Sequence, residues 1–328
     1  MARARALEDA LAALWREGRV SGEMHSGVGE EGVAVGVAAC LRPGDAVALD
    51  HRGTPVLSAL GVDLTLLVKE MLGREDGLNR GRAGHMHLMS PAHLAACSGI
   101  VGASAPLGAG FALAARALRP GSVAAAFLGD GAMNQGMVLE TLNLASAWTL
   151  PLVLVCKDNG WAIFTRSGSV TAGDLGARAR AFGLEVAEVD GADVVEVRRA
   201  AAAAVERARR GKGPGFLRAR VGRPEGHFLG DVVRRAAGEP LGEGRELLAR
   251  ATGGALARGG GGLGARAAAI RHLVGVLWRS RREGRGGRDD PLERARAGLR
   301  AEDADAAERA AVEEVARAVE AAAGGDGG

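Results

Sequence analysis

Tyrosine is absent from the sequence of 328 residues, and aromatic residues make up only 3% of it. Any role that a phenol group usually fills must therefore fall to another side chain. Apolar residues nevertheless account for 47% of the chain and are mostly Ala, Val and Leu. That fraction is ample for the core of one large α/β domain or two small ones.

The sequence also lacks a large excess of either charge. Its 42 Lys and Arg residues nearly balance its 39 Asp and Glu residues, which leaves a formal net charge of +3. Such an even balance argues against a nucleic-acid partner, and the basic run at 279–288 is local rather than part of a broad basic face.

Cysteines are few and far apart, at Cys40, Cys97 and Cys156, so they fit neither a disulfide framework nor a CxxC motif. The N-terminal stretch lacks the uninterrupted apolar core of a signal peptide. Residues 91–115 carry no Asp, Glu, Lys or Arg, but their many Gly, Ser and Pro residues disfavour a membrane span. The sequence therefore predicts a cytoplasmic protein without a membrane partner.

Short apolar strands alternate with helical patterns through the middle of the chain. The predicted strands are 46–50, 122–128, 152–156, 185–189 and 216–221. The predicted helices are 64–73, 104–118, 132–148, 174–182 and 193–210. This alternation indicates an α/β fold with a doubly wound, mostly parallel sheet. Ligand sites in such sheets form in the turns at the carboxyl ends of the strands.

The composition changes after the last predicted strand. Residues 1–233 form the predicted α/β domain, and 234–288 are a low-complexity insertion rich in Gly, Ala and Arg. We interpret the insertion as mobile, with a short docking helix in "AIRHLVGVLW". Residues 289–328 are predicted to be a helical segment that completes the domain.

Two turns that follow predicted strands carry polar side chains suited to a metal. Gly129-Asp130-Gly131 follows one strand, and Asp158-Asn159-Gly160 follows the next. A carboxylate, an amide oxygen and a backbone carbonyl suit Mg²⁺ or Ca²⁺, and diphosphate oxygens would complete the coordination. The glycines also fit a dinucleotide-binding turn, in which Asp158 would bind a ribose.

The sequence from Gly129-Asp130-Gly131 to Asn159 resembles the thiamine diphosphate motif of one family. That family is the alpha subunit of the dehydrogenase component of 2-oxoacid and acetoin dehydrogenase complexes. Further segments are similar to the family in the family's order: "EMHSGVGEEGVAVGV", "GRAGHMHL", "GIVGASAPLGAGFALA" and "GPGFLRARV". The resemblance implies a thiamine diphosphate-binding fold that pairs with a beta subunit as a heterotetramer.

The resemblance also implies thiamine diphosphate and Mg²⁺ as cofactors, together with the residues that bind them. Asp130, Asn159 and the carbonyl of Trp161 would ligate Mg²⁺, while Arg52 would hold the diphosphate through bidentate contacts. The other residues implied for cofactor binding are Gly99, Val101, Gly129, Gly131, Arg223 and His227. Among them, Gly99 and Val101 would give backbone contacts to the aminopyrimidine.

Two histidines match catalytic positions of the family. His25 matches a histidine near the reacting substrate, and His227 matches the histidine of a family loop that lies over the diphosphate and active-site channel. The sequence His-Phe-x-Gly-Asp at 227–231 is typical of the acetoin-cleaving branch. Because 227–233 contains no Ser, we expect no kinase control there. His51 departs from the family, which usually has Tyr at that position.

Simpler interpretations exist for the histidines. Without the flanking match, His25 would be a surface or hinge histidine. A zinc site is a further possibility because His-x-His is a known ligand spacing. The residues it would use are His85, His87, His93 and Cys97.

The implied reaction is C–C cleavage beside a carbonyl, with transfer of the acyl group to the lipoyl arm of a dihydrolipoyl acyltransferase. The carboxyl group that activates the cofactor comes from the beta subunit in this family, and no segment here supplies it. Two alternatives remain open at this point. One is a diverged noncatalytic alpha-like subunit, and the other is a nicotinamide-dependent oxidoreductase.

Overall fold

The computed structural model describes residues 1–231, 235–236, 242–256, 262–282 and 290–324. The chain forms two compact units. The first comprises Met1–Gly222 and Gly286–Gly328, and the second comprises Arg223–Arg285.

A seven-stranded sheet lies at the centre of the first unit, in the order β2-β3-β1-β4-β5-β9-β8. Its strands are parallel except for the edge strand β2. A separate hairpin pairs β6 with β7. The strands are β1 Ala46–Leu49, β2 Met89–Ser90, β3 Ala95–Cys97, β4 Ala124–Gly129, β5 Leu152–Asp158, β6 Trp161–Ala162, β7 Thr165–Arg166, β8 Glu185–Asp190 and β9 Gly215–Arg220.

Helices precede and connect these strands. Several begin at an aspartate whose carboxylate accepts hydrogen bonds from backbone N–H groups of the first turn, as is typical of a stabilising N-cap. These N-cap residues are Asp63, Asp174, Asp193 and Asp290. The helices up to β9 are α1 Ala2–Arg16, α2 Glu31–Ala38, α3 Thr54–Ala59, α4 Leu64–Met71, α5 Ser104–Leu118, α6 Gly136–Ala147, α7 Ser167–Val170, α8 Leu175–Ala181 and α9 Val194–Arg209.

Small side chains in the central strands let a helix approach the sheet closely. β4 contains three consecutive alanines that are fully buried. Gly108 of α5 sits above them, and a methyl group at Gly108 would lie 2.6 Å from the Cβ of Ala126. The Ala-rich composition therefore positions α5 tightly over the centre of the sheet.

The predicted α/β fold with a doubly wound, mostly parallel sheet is confirmed. The predicted strands and helices between 46 and 221 are present, with small differences at their ends. Six short helices and strands in this range were not predicted: α3, β2, β3, β6, β7 and α7. Each has between two and six residues, which is too short for a hydrophobic period to be recognised.

The C-terminal part of the chain returns to the first unit. It contains α12 Pro291–Arg296 and α13 Ala301–Ala323, and α13 packs against α1 and α4. Arg5 forms an ion pair with Asp290 at 3.0 Å. These contacts join both ends of the chain to one core.

The second unit contains α10 Glu243–Leu256 and α11 Leu263–Arg282, which pack against each other. The sequence predicted a mobile insertion with one short docking helix at 234–288. Two helices are present there, and the other parts of that prediction lie partly outside the described residues. Among the described helices, none combines the length and apolar character needed to cross a membrane.

Candidate functional site

The sheet topology selects one place as a ligand site. β1 and β4 are neighbours, but the chain from β1 leads to β3 on one side and the chain from β4 leads to β5 on the other. In doubly wound sheets, ligands bind at such a reversal, outside the carboxyl ends of the strands. Here those ends lead into Asp50-His51-Arg52 and Asp130-Gly131.

Asp130 is the most informative residue of this edge. It is 1% exposed, its Oδ2 accepts a hydrogen bond from the Ser167 hydroxyl, and its Oδ1 has no hydrogen-bond partner among the described residues. Burial raises the pKa of Asp130 to about 6; the Ser167 hydrogen bond opposes this shift, and Asp158 adds to it. A buried carboxylate oxygen without a donor is well placed to receive a cation.

The second turn is held by its own side chains. Asn159 Oδ1 accepts the backbone amide of Trp161 at 3.0 Å, and Asp158 Oδ1 accepts that of Gly160 at 3.1 Å. Gly160 has a φ of 74°, a conformation that glycine adopts without strain. Asp158 Oδ2 is 2.7 Å from Arg218 Nη2 in an ion pair. Local bonds therefore fix the backbone that carries Asn159 and Trp161.

The two predicted turns lie against each other. Gly129 pairs with Lys157 in the sheet register, and a methyl group at Gly131 would lie 2.8 Å from the Cβ of Ala162. The backbone amide of Asn159 is close enough to the Asp130 carboxylate to lower its pKa. The structure thus brings together the five residues predicted in these turns: Gly129, Asp130, Gly131, Asn159 and Trp161.

Arg52 lies in a buried ionic cluster beside this edge. Its Nη1 donates to the Ser26 carbonyl, and its Nε is 3.8 Å from Glu30 Oε1. Lys157 Nζ is 2.6 Å from Glu30 Oε2 and 2.9 Å from Asp50 Oδ1. Burial lowers the pKa of Lys157, but the two carboxylates raise it by more, so the net pKa is raised and the amine is charged.

Sequence analysis missed Glu30, Asp50 and Lys157. No motif of paired charges marks them, because they come from three separate segments of the chain. Only the sheet register of the structure shows that Lys157 lies opposite Gly129 at the end of β5.

Three histidines form a second group at the site. His25 Nδ1 is 2.9 Å from His85 Nε2, and the His25 ring meets the His51 ring edge-on, with centroids 4.6 Å apart. Burial lowers the pKa of His85 to about 4, and Arg52 and His87 add to this shift. His25 is therefore a buried residue with defined partners, and it is not a surface histidine.

Gly99 and Val101 occupy the loop after β3. Ser98 connects this loop to the end of β1, because its amide donates to the Leu49 carbonyl at 2.9 Å. A methyl group at Gly99 would lie 3.1 Å from the Cβ of Met86 and 3.3 Å from His87 Nε2. Val101 and its neighbour Ile100 are 57% and 63% exposed.

Arg223 and His227 belong to the second unit. Gly226 N donates to the Arg223 carbonyl at 3.1 Å, and His227 N donates to Asp231 Oδ2 at 2.9 Å. The ring centroids of His227 and Phe228 are 6.0 Å apart.

The alternative zinc site is not formed. Within the described part of the chain, the ligand atoms of His85, His87, His93 and Cys97 do not converge. His93 Nδ1 instead lies 2.8 Å from Ser90 Oγ, and His85 Nε2 contacts His25.

The fold and the two adjoining turns define a class of doubly wound α/β protein with a candidate ligand site at the carboxyl edge of its sheet. The structure is similar to a crystal structure of transketolase from Campylobacter jejuni, with a TM-score of 0.53 and 19% sequence identity. The match covers 67% of this chain and 37% of that chain. At this identity the likeness shows the fold alone.

Residues 1–239 match the family described as the dehydrogenase E1 component, and the chain belongs to that family. It is 39% identical over 247 residues to a pyruvate dehydrogenase E1 component subunit alpha from Zymomonas mobilis, covering 74% of this chain and 69% of the relative. It is 41% identical over 238 residues to the alpha subunit of an acetoin:2,6-dichlorophenolindophenol oxidoreductase from Cupriavidus necator, covering 72% of each chain. The family resemblance stated from the motifs is confirmed.

Proposed function

We propose that this chain is the alpha subunit of a thiamine diphosphate- and Mg²⁺-dependent dehydrogenase that cleaves the C–C bond beside a carbonyl group. The family membership supports a dehydrogenase component, and the geometry of one residue supports the metal. That residue is Asp130, which carries a buried carboxylate oxygen without a donor at the carboxyl end of a central strand.

The residues of the two turns fit Mg²⁺. Asp130 Oδ1, Asn159 Oδ1 and the Trp161 carbonyl are hard oxygen donors of the kind that this ion prefers. A cation there would offset the unfavourable burial of the Asp130 charge, which raises the pKa of its carboxyl to about 6. Gly131 keeps the turns close together, because any larger residue would meet Ala162.

The remaining residues of the edge fit the roles that the family implies. When bound, thiamine diphosphate supplies the carbon nucleophile and the electron sink that C–C cleavage beside a carbonyl requires. The buried Glu30 and Lys157 position Arg52, whose guanidinium suits the diphosphate. His25 is the proposed residue beside the substrate.

A partner subunit is part of the proposal. Ile100 and Val101 are exposed apolar residues in the loop that is expected to contact the aminopyrimidine. An apolar rim beside a ligand site indicates a protein partner. We propose that a beta subunit covers this rim, supplies the activating carboxyl group and completes a heterotetramer, and that the acyl group then passes to a lipoyl arm.

We propose acetoin as the favoured substrate and a 2-oxo acid as the alternative. The relatives include both types at almost equal identity, 41% and 39%, so identity alone does not select between them. The His-Phe-x-Gly-Asp sequence at 227–231 favours acetoin.

Calorimetry tests the proposal. The chain, reconstituted with its beta subunit, is titrated with thiamine diphosphate in the presence of Mg²⁺, and we expect saturable binding that Asp130→Asn abolishes. Ser169→Ala is a matched control, since Ser169 is exposed and its hydroxyl donates to the nearby Arg166 carbonyl. Reconstituted complex that binds no cofactor would instead support the noncatalytic alternative.

Titration of the same sample with NADH tests the oxidoreductase alternative. We expect no binding, because Asp158, the residue needed for the ribose, is already held by Arg218 at 2.7 Å. Tight NADH binding would overturn the proposed function.

A further inference from the structure

Two donors of one histidine converge on a single nitrogen of another. His85 Nε2 is 3.2 Å from the backbone nitrogen of His25 and 2.9 Å from His25 Nδ1. The two rings are nearly parallel, at 29° with centroids 5.2 Å apart. The proposed function gives His85 no role.

The backbone contact determines the protonation of both rings. A backbone N–H can only donate, so His85 Nε2 must carry a lone pair and no hydrogen. The hydrogen in the contact between Nδ1 and Nε2 therefore belongs to His25. When the His25 ring is neutral, its Nδ1 is protonated and its Nε2 carries the lone pair.

The surroundings of His85 keep it in the required form. Its ring is buried, and the positive charge of Arg52 opposes protonation, as does the nearby His87. With a pKa of about 4, His85 is neutral throughout the physiological range and Nε2 stays an acceptor. The His51 ring packs edge-on against His25.

We propose that His85 is a positioning residue that fixes His25 in the Nδ1–H tautomer, so that His25 presents Nε2 to the substrate as the proton acceptor. The inference rests on the proposed function for the substrate, but the tautomer follows from the geometry alone. The proton taken up at Nε2 gives an imidazolium whose Nδ1–H remains bonded to His85.

Nitrogen NMR of the full chain, with selectively labelled histidines, tests the tautomer without any cofactor. We expect His25 Nδ1 to give the resonance of a protonated ring nitrogen and Nε2 that of an unprotonated one. His85→Phe removes the acceptor and should mix the two tautomers of His25. His85→Gln supplies an amide oxygen near the position of Nε2 and should retain the wild-type pattern. His93→Phe, a change at a histidine bonded to Ser90, is the control and should leave the His25 signals unmoved.

The reconstituted complex gives the second measurement. A base in the wrong tautomer loses part of the factor of roughly 10²–10⁴ that general base catalysis contributes, so we expect His85→Phe to lower kcat by about tenfold to a hundredfold with little change in KM. His85→Gln should restore most of the rate. Wild-type His25 with its proton on Nε2, or full turnover in His85→Phe, would overturn the proposal. A chain that binds no cofactor would refute the proposed function, while the NMR pattern would still decide the tautomer.

Discussion

Lys157 Nζ lies 2.6 Å from Glu30 Oε2, and Lys69 Nζ lies at the same distance from Asp76 Oδ2, yet only the first pair is buried. The side chains of Lys157 and Glu30 are each 3% exposed, whereas those of Lys69 and Asp76 are 20% and 52% exposed. Equal distances therefore correspond to very different electrostatic environments, because water screens the second pair and not the first.

Replacing Lys157 by Met should destabilise the chain strongly. The change leaves Glu30 and Asp50 buried without their cation, and breaking a buried pair in this way typically costs about 3–5 kcal/mol. Urea unfolding measures the loss. Lys157→Arg, which keeps the charge, should lose less, and Lys69→Met should leave the free energy of unfolding nearly unchanged. Equal effects at the two lysines would contradict the burial argument.

Gly131→Ala should separate the two turns of the site. The new methyl group would lie 2.8 Å from the Cβ of Ala162, and relieving such overpacking typically costs about 1–3 kcal/mol. We expect a large loss of Mg²⁺-dependent cofactor binding in calorimetry, together with a modest loss of stability. Gly136→Ala is the matched control, since a methyl group there meets nothing within 4 Å. Normal cofactor affinity in Gly131→Ala would show that the turns can move apart freely.

The raised pKa of Asp130 predicts a pH-dependent stability. The carboxyl has a pKa of about 6 in the folded chain against 3.8 for an ordinary Asp. Between these values the folded state binds more protons than the unfolded state, so this contribution to stability is present at low pH and is lost as the pH rises through 4 to 6. Asp130→Asn lacks the contribution, and the stability difference between wild type and variant should change over that window.

Comparison with the variant is necessary because His85 shifts in the opposite sense. Its pKa of about 4 lies below the ordinary value of 6.5, so its contribution weakens as the pH falls below 6.5. Urea unfolding of both proteins from pH 4 to pH 8 isolates the contribution of Asp130 to the free energy of unfolding. Adding Mg²⁺ and thiamine diphosphate to the complex should stabilise wild type more at pH 8 than at pH 5, and should not stabilise the variant. A constant difference across pH would contradict the assignment.

Ile100→Asp should weaken assembly with the beta subunit. Ile100 is 63% exposed beside the proposed cofactor loop, and a charge there would have to be desolvated in the interface. Sedimentation or size-exclusion of the mixed subunits measures the effect, and we expect at least a tenfold weaker association, about 1.4 kcal/mol. Leu118→Asp is the control, because Leu118 is 79% exposed at the far end of α5. Equal assembly of the two variants would remove the support for a partner at this rim.

The repeating pattern and the two turns could be predicted from the sequence because each is local. An apolar strand followed by a glycine turn is visible in six or seven residues, and a parallel sheet then places the turns at one edge. This reasoning identifies Asp130 and Asn159 as candidate metal ligands from the sequence alone.

The ionic cluster and the tautomer of His25 could not be predicted in the same way. Lys157 meets Glu30 and Asp50 only after three distant segments have packed, and a lysine inside an apolar strand carries no mark of its partners. His85 Nε2 is an acceptor because the backbone N–H of His25 points at it, and the spacing of the histidines in the sequence does not determine that direction. Side-chain chemistry that spans segments therefore needed the tertiary structure.

Trp161 gives the chain a built-in optical signal. With no tyrosine and four tryptophans in the sequence, ultraviolet emission comes from indole rings alone. One of these rings belongs to the residue whose own carbonyl is a proposed metal ligand, and it lies under the Arg166 guanidinium, 5.2 Å from the ring centroid. A movement of this turn when Mg²⁺ and thiamine diphosphate bind changes the surroundings of that indole. Occupancy of the site can therefore be followed as quenching or enhancement of tryptophan fluorescence, without any added dye.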